Sequence, residues 1–294
     1  MLFTLKTKSL CRNLLLIFSL SLFFSCQKDL SLEDGGTVVV TPPDLSTKIN
    51  SSVSGFVTDE NDAAVMGASV QFGSSSITTD KYGYFEAKNV QVVKEAAVVT
   101  VIKPGYFKGI KTYMAKEGKA AFFRIKLIPK TTVGNVNAAS GGTVTLANGL
   151  SIKLPSGSIV NAATNAIYTG TVNVAAYWIN PTAADLNQIM PGDLRGINTE
   201  GTLKLLQTFG MAAVELTGAS GELLQIANGQ KATLTLPIPS SLSASAPATI
   251  PLWYFDEVNG LWKQEGSATK TGNTYVGDVS HFSFWNCDVP ANYV

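Results

Sequence analysis

The chain has 294 residues, 45% of them hydrophobic and 15% charged, with 22 Lys and Arg set against 21 Asp and Glu. A balance so close to neutral carries no electrostatic footprint for nucleic acid, and three cysteines are too few for a disulfide framework. One histidine cannot build the histidine-rich ligand set of a catalytic zinc, and long runs of helical periodicity are missing, so an all-β chain without a metal or cofactor is expected.

In chain order, Lys6, Lys8 and Arg12 precede Leu14 to Phe24, an apolar stretch too short for the roughly 20 residues of a spanning helix. The segment reads as a secretory leader over residues 1–25. Phe23-Phe24-Ser25-Cys26 resembles a bacterial lipobox, which implies lipidation of Cys26, whereas Cys11 lies ahead of the apolar core. Gln27-Lys28-Asp29 is similar to the surface-export signal of Bacteroidota lipoproteins. This resemblance implies an outer-membrane protein, lipid-anchored and facing the cell exterior, with the membrane as its first partner. Two or more acyl chains meet the requirement for stable anchoring. Residues 26–51 then form a polar tether broken by Gly35-Gly36 and Pro42-Pro43.

From Val53 onward short alternating runs separated by turns predict strands at Gly55–Thr58, Ala68–Phe72, Ile77–Thr79, Tyr84–Glu86, Val98–Ile102 and Phe122–Leu127. In the last of these Phe123, Ile125 and Leu127 share one face, Arg124 and Lys126 the other. The stretches SGFVTDENDAAVMGASVQFG, TTDKYGYFEAKNV and VIKPGYFKG resemble a carboxypeptidase regulatory-like domain. That resemblance implies a seven-stranded transthyretin-like sandwich over residues 52–130, and an accessory role with no peptidase activity.

Thr131 to Gly142 is a polar link into a second β-rich sandwich, residues 131–294. Alternation marks Ile152 and Leu154, Val172 and Val174, and Leu234 and Leu236 as buried faces. Ala183 to Ile189 suits one helical turn. Met211–Leu216, Ile250–Phe255, Trp262–Gln264 and Ser280–Trp285 read as later strands, with Val258-Asn259-Gly260 as a hairpin turn. Gly142 to Ser158 resembles the opening of the β-sandwich domain shared by ankyrins and netrin receptors. PLWYFDEVNGLWKQEG and HFSFWNCDVP are similar to the tails of uncharacterised bacterial surface lipoproteins.

Little of the remaining pattern suits catalysis. On one strand, His281 and Ser283 would sit roughly 7 Å apart, too far for a nucleophile-base hydrogen bond. Asp59, Asp62 and Asp80 lie in turns and lack the ligand density of a calcium loop. Cys287 follows an aromatic run and is expected to be buried and inert. The aromatic set containing Trp178, Trp253, Trp262 and Trp285 supplies the candidate ligand-binding residues, because indole faces stack on sugar rings or anchor protein partners. Core packing competes for the same residues. The expected function is therefore a non-catalytic surface module, binding or envelope-structural, with polysaccharide as the leading ligand. The alternative is an accessory or assembly factor acting through a protein partner.

Overall fold

The computed structural model describes residues 42–292. The leader, Cys26, the Gln27-Lys28-Asp29 run and most of the tether lie outside the described residues. More than half of the described residues are in strands and 3% are helical, as the all-β reading expects.

Seven strands build the first region: β1 (Lys48–Thr58), β2 (Ser69–Phe72), β3 (Ser75–Thr78), β4 (Tyr84–Val93), β5 (Ala97–Ile102), β6 (Gly109–Tyr113) and β7 (Ala120–Lys126). They form a three-stranded sheet in the order β4-β1-β7 and a four-stranded one in the order β3-β2-β5-β6. Strand β1 is central in its sheet, antiparallel to β4 and parallel to β7. It starts at Lys48, so the end of the expected tether is already strand. Period-2 alternation sends Val53 and Val57 inward onto Phe72, Phe85, Val99 and Ile125. Two turns explain the acidic positions. Asp59 Oδ1 accepts from the backbone N–H groups of Asn61 and Ala63, both at 2.9 Å, and Asp80 Oδ1 accepts from those of Tyr82 and Tyr84 at 2.8 and 2.9 Å. Gly83 follows with φ +73° and would place a Cβ 2.3 Å from the Val57 carbonyl, so no other residue fits there.

Thirteen further strands are joined in one hydrogen-bonded sheet system with a sandwich-like arrangement. They are β8 (Thr132–Asn137), β9 (Gly142–Thr145), β10 (Ser151–Leu154), β11 (Ile159–Asn161), β12 (Thr171–Ile179), β13 (Arg195–Ile197), β14 (Leu203–Thr217), β15 (Leu223–Ile226), β16 (Ala232–Pro237), β17 (Thr249–Asp256), β18 (Leu261–Thr271), β19 (Thr274–Val279) and β20 (Phe284–Asn292). The helical turn α1 (Leu186–Ile189) falls inside the expected segment. Three expectations are corrected. The supposed link contains β8, which pairs with β12. Strand β14 runs 15 residues, well beyond Met211–Leu216, because its earlier stretch pairs with β13 over Leu203–Leu205 and with β20 over Lys204–Thr208. Ser280 to Ser283 form a turn rather than a strand, and β20 begins only at Phe284.

The regions meet across a third apolar cluster that takes Phe107, Ile110 and Ile128 from the first and Met211, Trp253, Phe255, Trp262 and Phe284 from the second. Hydrogen bonds cross the same seam. Thr112 Oγ1 donates to the Gly260 carbonyl at 2.7 Å, Gly192 N–H to the Ile110 carbonyl at 2.9 Å, and Arg195 Nη1 to the Glu95 carbonyl at 2.8 Å. The buried Lys111 ammonium donates to the carbonyls of Asn187 and Met190 at 2.8 and 2.6 Å, the end of α1, and burial pushes it down to about 7.

Candidate functional site

Three of the four tryptophans are not where a stacking ligand could reach them. Trp253, Trp262 and Trp285 are 0% exposed, which corrects their reading as binding residues. Each uses its indole N–H on a carbonyl: Trp253 on Asp288 at 3.2 Å, Trp262 on Asp193 at 2.9 Å, and Trp285 on His281 at 2.9 Å. Their ring faces pack in the core, Trp262 against Phe255 with centroids 5.2 Å apart. Trp178 is half-buried and its Nε1 is enclosed without a partner.

His281 lies in the turn before β20, edge-on to Tyr254 at 4.7 Å and tilted over Trp285 at 5.1 Å. Burial holds its pKa below the usual imidazole range, and Glu265 approaches to only 3.9 Å. The Ser283 hydroxyl donates to the Phe284 carbonyl at 3.2 Å and Ser280 to Glu265 at 2.5 Å, so neither serine is bonded to the imidazole. Cys287 is fully buried, and burial pushes its thiol well up, as expected of an inert core cysteine.

A different aromatic surface is exposed. The outer face of the β4-β1-β7 sheet carries two cross-strand rows set by the pairing register, Tyr84–Phe56–Arg124 and Glu86–Ser54–Phe122. Phe122 is 55% exposed, and Phe56 and Tyr84 are half-buried. The Phe56 ring lies 5.4 Å from Tyr84, tilted, and 6.1 Å from Phe122, edge to face. The Arg124 guanidinium covers Phe56 and Phe122 at 5.8 and 6.0 Å from their centroids. Lys88 pairs with Glu86 at 3.0 Å, whereas no carboxylate pairs with Arg124 among the described residues. Residues 56, 122 and 124 were within strands foreseen from the sequence, whereas Ser54 lay just ahead of the expected Gly55–Thr58 strand. The signal missed was that Phe122 shares the polar face of its strand with Arg124, where an apolar ring has no core to fill.

A groove of about 170 Å³ opens where the regions meet, with Phe107, Phe284 and Leu223 on its walls and Lys108, Glu215 and Glu257 at its rim. Those rim charges are already paired across the seam, Lys108 with Glu257 at 2.6 Å and Glu215 with Lys130 at 2.8 Å.

No family model matches the chain. Over 188 residues it is 25% identical to mouse cartilage intermediate layer protein 2, covering 60% of this chain but only 16% of that protein's length. Among solved structures it is similar to a candidate membrane-associated protein of unknown function from Bacteroides fragilis, with 11% identity, TM-score 0.23 and coverage of 84% of this chain and 100% of that one. A candidate carbohydrate-binding protein from Bacteroides uniformis shows 10% identity, TM-score 0.22 and coverage of 83% and 100%.

Proposed function

We propose that this is a non-catalytic, lipid-anchored outer-membrane protein that faces the cell exterior and binds polysaccharide through the outer face of its first sandwich. Cys26 carries the lipid, Gln27-Lys28-Asp29 directs export, and the chain divides into a sandwich over residues 52–130 and a second over 131–294. The observation that carries the reading is the exposed ring group of Tyr84, Phe56 and Phe122 on an otherwise polar sheet face. Exposed apolar rings clustered on one face need a partner, whereas buried ones do not. The chain enters β1 at Lys48, and Phe56 lies roughly 26 Å further along the strand, so the rings sit at the end remote from the tether.

Retention of the purified full chain in detergent on a panel of immobilised polysaccharides is the test. The parent is expected to be retained and the Phe56→Ala/Phe122→Ala double variant to elute freely. If the parent passes through every column, polysaccharide binding is wrong and a protein partner takes its place. Separately, Cys26→Ser is expected to move the protein from the membrane to the soluble fraction, and unchanged detergent partitioning would remove the anchor.

A further inference from the structure

The reading above names a polysaccharide but not its chemistry, and the charge on the same face narrows it. Arg124 projects from β7 in register with Phe56, and its guanidinium lies over two rings instead of against a carboxylate. Of the other cations on this face, Lys88 is engaged with Glu86 and Lys126 with both Asp62 and Asp185, while Lys48, at the opposite end of β1 from Phe56, is exposed and has no acidic partner among the described residues. Lys81, in the turn before β4, lies 4.9 Å over the Tyr82 ring and likewise has no acidic partner among the described residues.

An arginine laid on aromatic faces keeps its in-plane N–H groups free, and those groups form a rigid fork that matches a carboxylate through two parallel hydrogen bonds. Beside the fork, Phe122 offers an apolar ring more than half exposed. Ser54, next to it in the pairing register, supplies a hydroxyl that can donate or accept. A neutral sugar would use the ring and the hydroxyl but leave the fork unmatched. A sugar ring bearing a carboxylate satisfies all three at once, its apolar face on Phe122 and its carboxylate in the fork.

Ligand shape points the same way. The Tyr84–Phe56–Arg124 row crosses three adjacent strands at the sheet's spacing of about 4.8 Å, so an extended chain laid across the strands meets a new side chain at each step. We infer that the outer face of the β4-β1-β7 sheet is a binding site for an acidic polysaccharide built of hexuronic acid residues, with Arg124 as the carboxylate-reading residue. This inference rests on the polysaccharide-binding reading and specifies its ligand class.

The experiment is titration of the full-length protein in detergent with polygalacturonate, beside uncharged xylan and laminarin as neutral controls, at two salt concentrations. Binding to polygalacturonate is expected, at least about tenfold tighter than to either neutral chain. Arg124→Gln should weaken it about tenfold or more, Arg124→Lys by less because a point charge replaces the fork, and Phe122→Ala by a comparable factor to Arg124→Gln. Ile167→Ala, an exposed change outside this sheet, should have no effect. Melting temperatures within about two degrees of the parent will show that each variant is folded. Binding to the neutral chains alone would overturn the acidic assignment while leaving the polysaccharide reading intact. Binding to polygalacturonate that survives both Arg124→Gln and Phe122→Ala would overturn the site. Binding to none of the three would remove this inference, while a neutral or acidic chain found on the wider column panel would still sustain the parent reading.

Discussion

The two regions handle their aromatic residues in opposite ways. In the second, β14 from Phe209 to Val214 and β20 from Phe284 to Asp288 are covered on both faces: Met211 and Phe284 point into the shared seam while Ala212 and Trp285 point into the region's own core. Rings placed there are enclosed whichever way they face. In the first, the β4-β1-β7 sheet is covered on one face only, so the outward half of each alternation meets solvent and Phe122 stays exposed. The region holding all four tryptophans therefore has no fully open indole, and the region with none presents the exposed ring surface. Aromatic content measures how many layers must be glued together as readily as it measures binding.

The sharpest way to break that contrast is to truncate one ring from each region. Trp262→Ala should cost about 3–5 kcal/mol, because a fully buried indole leaves a cavity and strands the Asp193 carbonyl. Phe122→Ala should cost less than about 1 kcal/mol. Urea denaturation of both checks this, and similar losses would erase the distinction between a core aromatic set and a surface one.

Lys111 tests the seam between the regions. Its folded-state pKa is about 7 against 10.5 for the free side chain, so between those values the folded protein binds fewer protons than the unfolded chain. Stability from this group must then rise with pH over that window, at up to about 1.4 kcal/mol per pH unit. The buried Cys287 thiol, held protonated in the fold, opposes this at the alkaline end, so the informative comparison is parent against Lys111→Met. Between pH 7.5 and 9.5 the parent should gain stability relative to the variant. Parallel curves would mean that the ammonium is not desolvated by the packing of β6 on α1.

A smaller effect is expected at Gly260, which has φ +70° and would bring a Cβ to 2.3 Å from Val98 Cγ2 across the seam. Gly260→Ala should cost about 1–3 kcal/mol from overpacking added to backbone strain. Gly272→Ala, with a similar φ of +59° and nothing near its Cβ, carries the backbone part alone. Thermal melts of the pair give the packing contribution of the seam by difference.

Much of the first region was legible, because its strands alternate cleanly and its turns carry Asp80 and Gly83 at positions where only their chemistry fits. Strand β6 was not, since Gly109, Ile110, Lys111 and Thr112 are all buried and show no alternation. One of its faces closes the first sandwich and the other meets the second region, a partner that no local pattern reveals. The start of β14, Leu203 to Thr208, was hidden differently: Leu205 and Gln207 are exposed, and the stretch is held as strand by pairing to the distant β13 and β20. The candidate site was misread for a related reason. The tryptophans were prominent by type, but their exposure depends on layers contributed by distant strands. Phe122 was visible as a breach of its own strand's polar face and was passed over because it is one residue among many phenylalanines.

The placement of β1 has a mechanical consequence. Any pull entering the described fold at Lys48 runs lengthwise down a strand held on both sides, by β4 from Lys48 to Phe56 and by β7 from Ser52 to Thr58. Ladder hydrogen bonds lie across the strand, so such a load puts them in shear together instead of opening them one after another. Force reaching Phe56 through the chain must therefore strain two ladders at once, and the sheet face bearing the exposed rings resists drag as a unit.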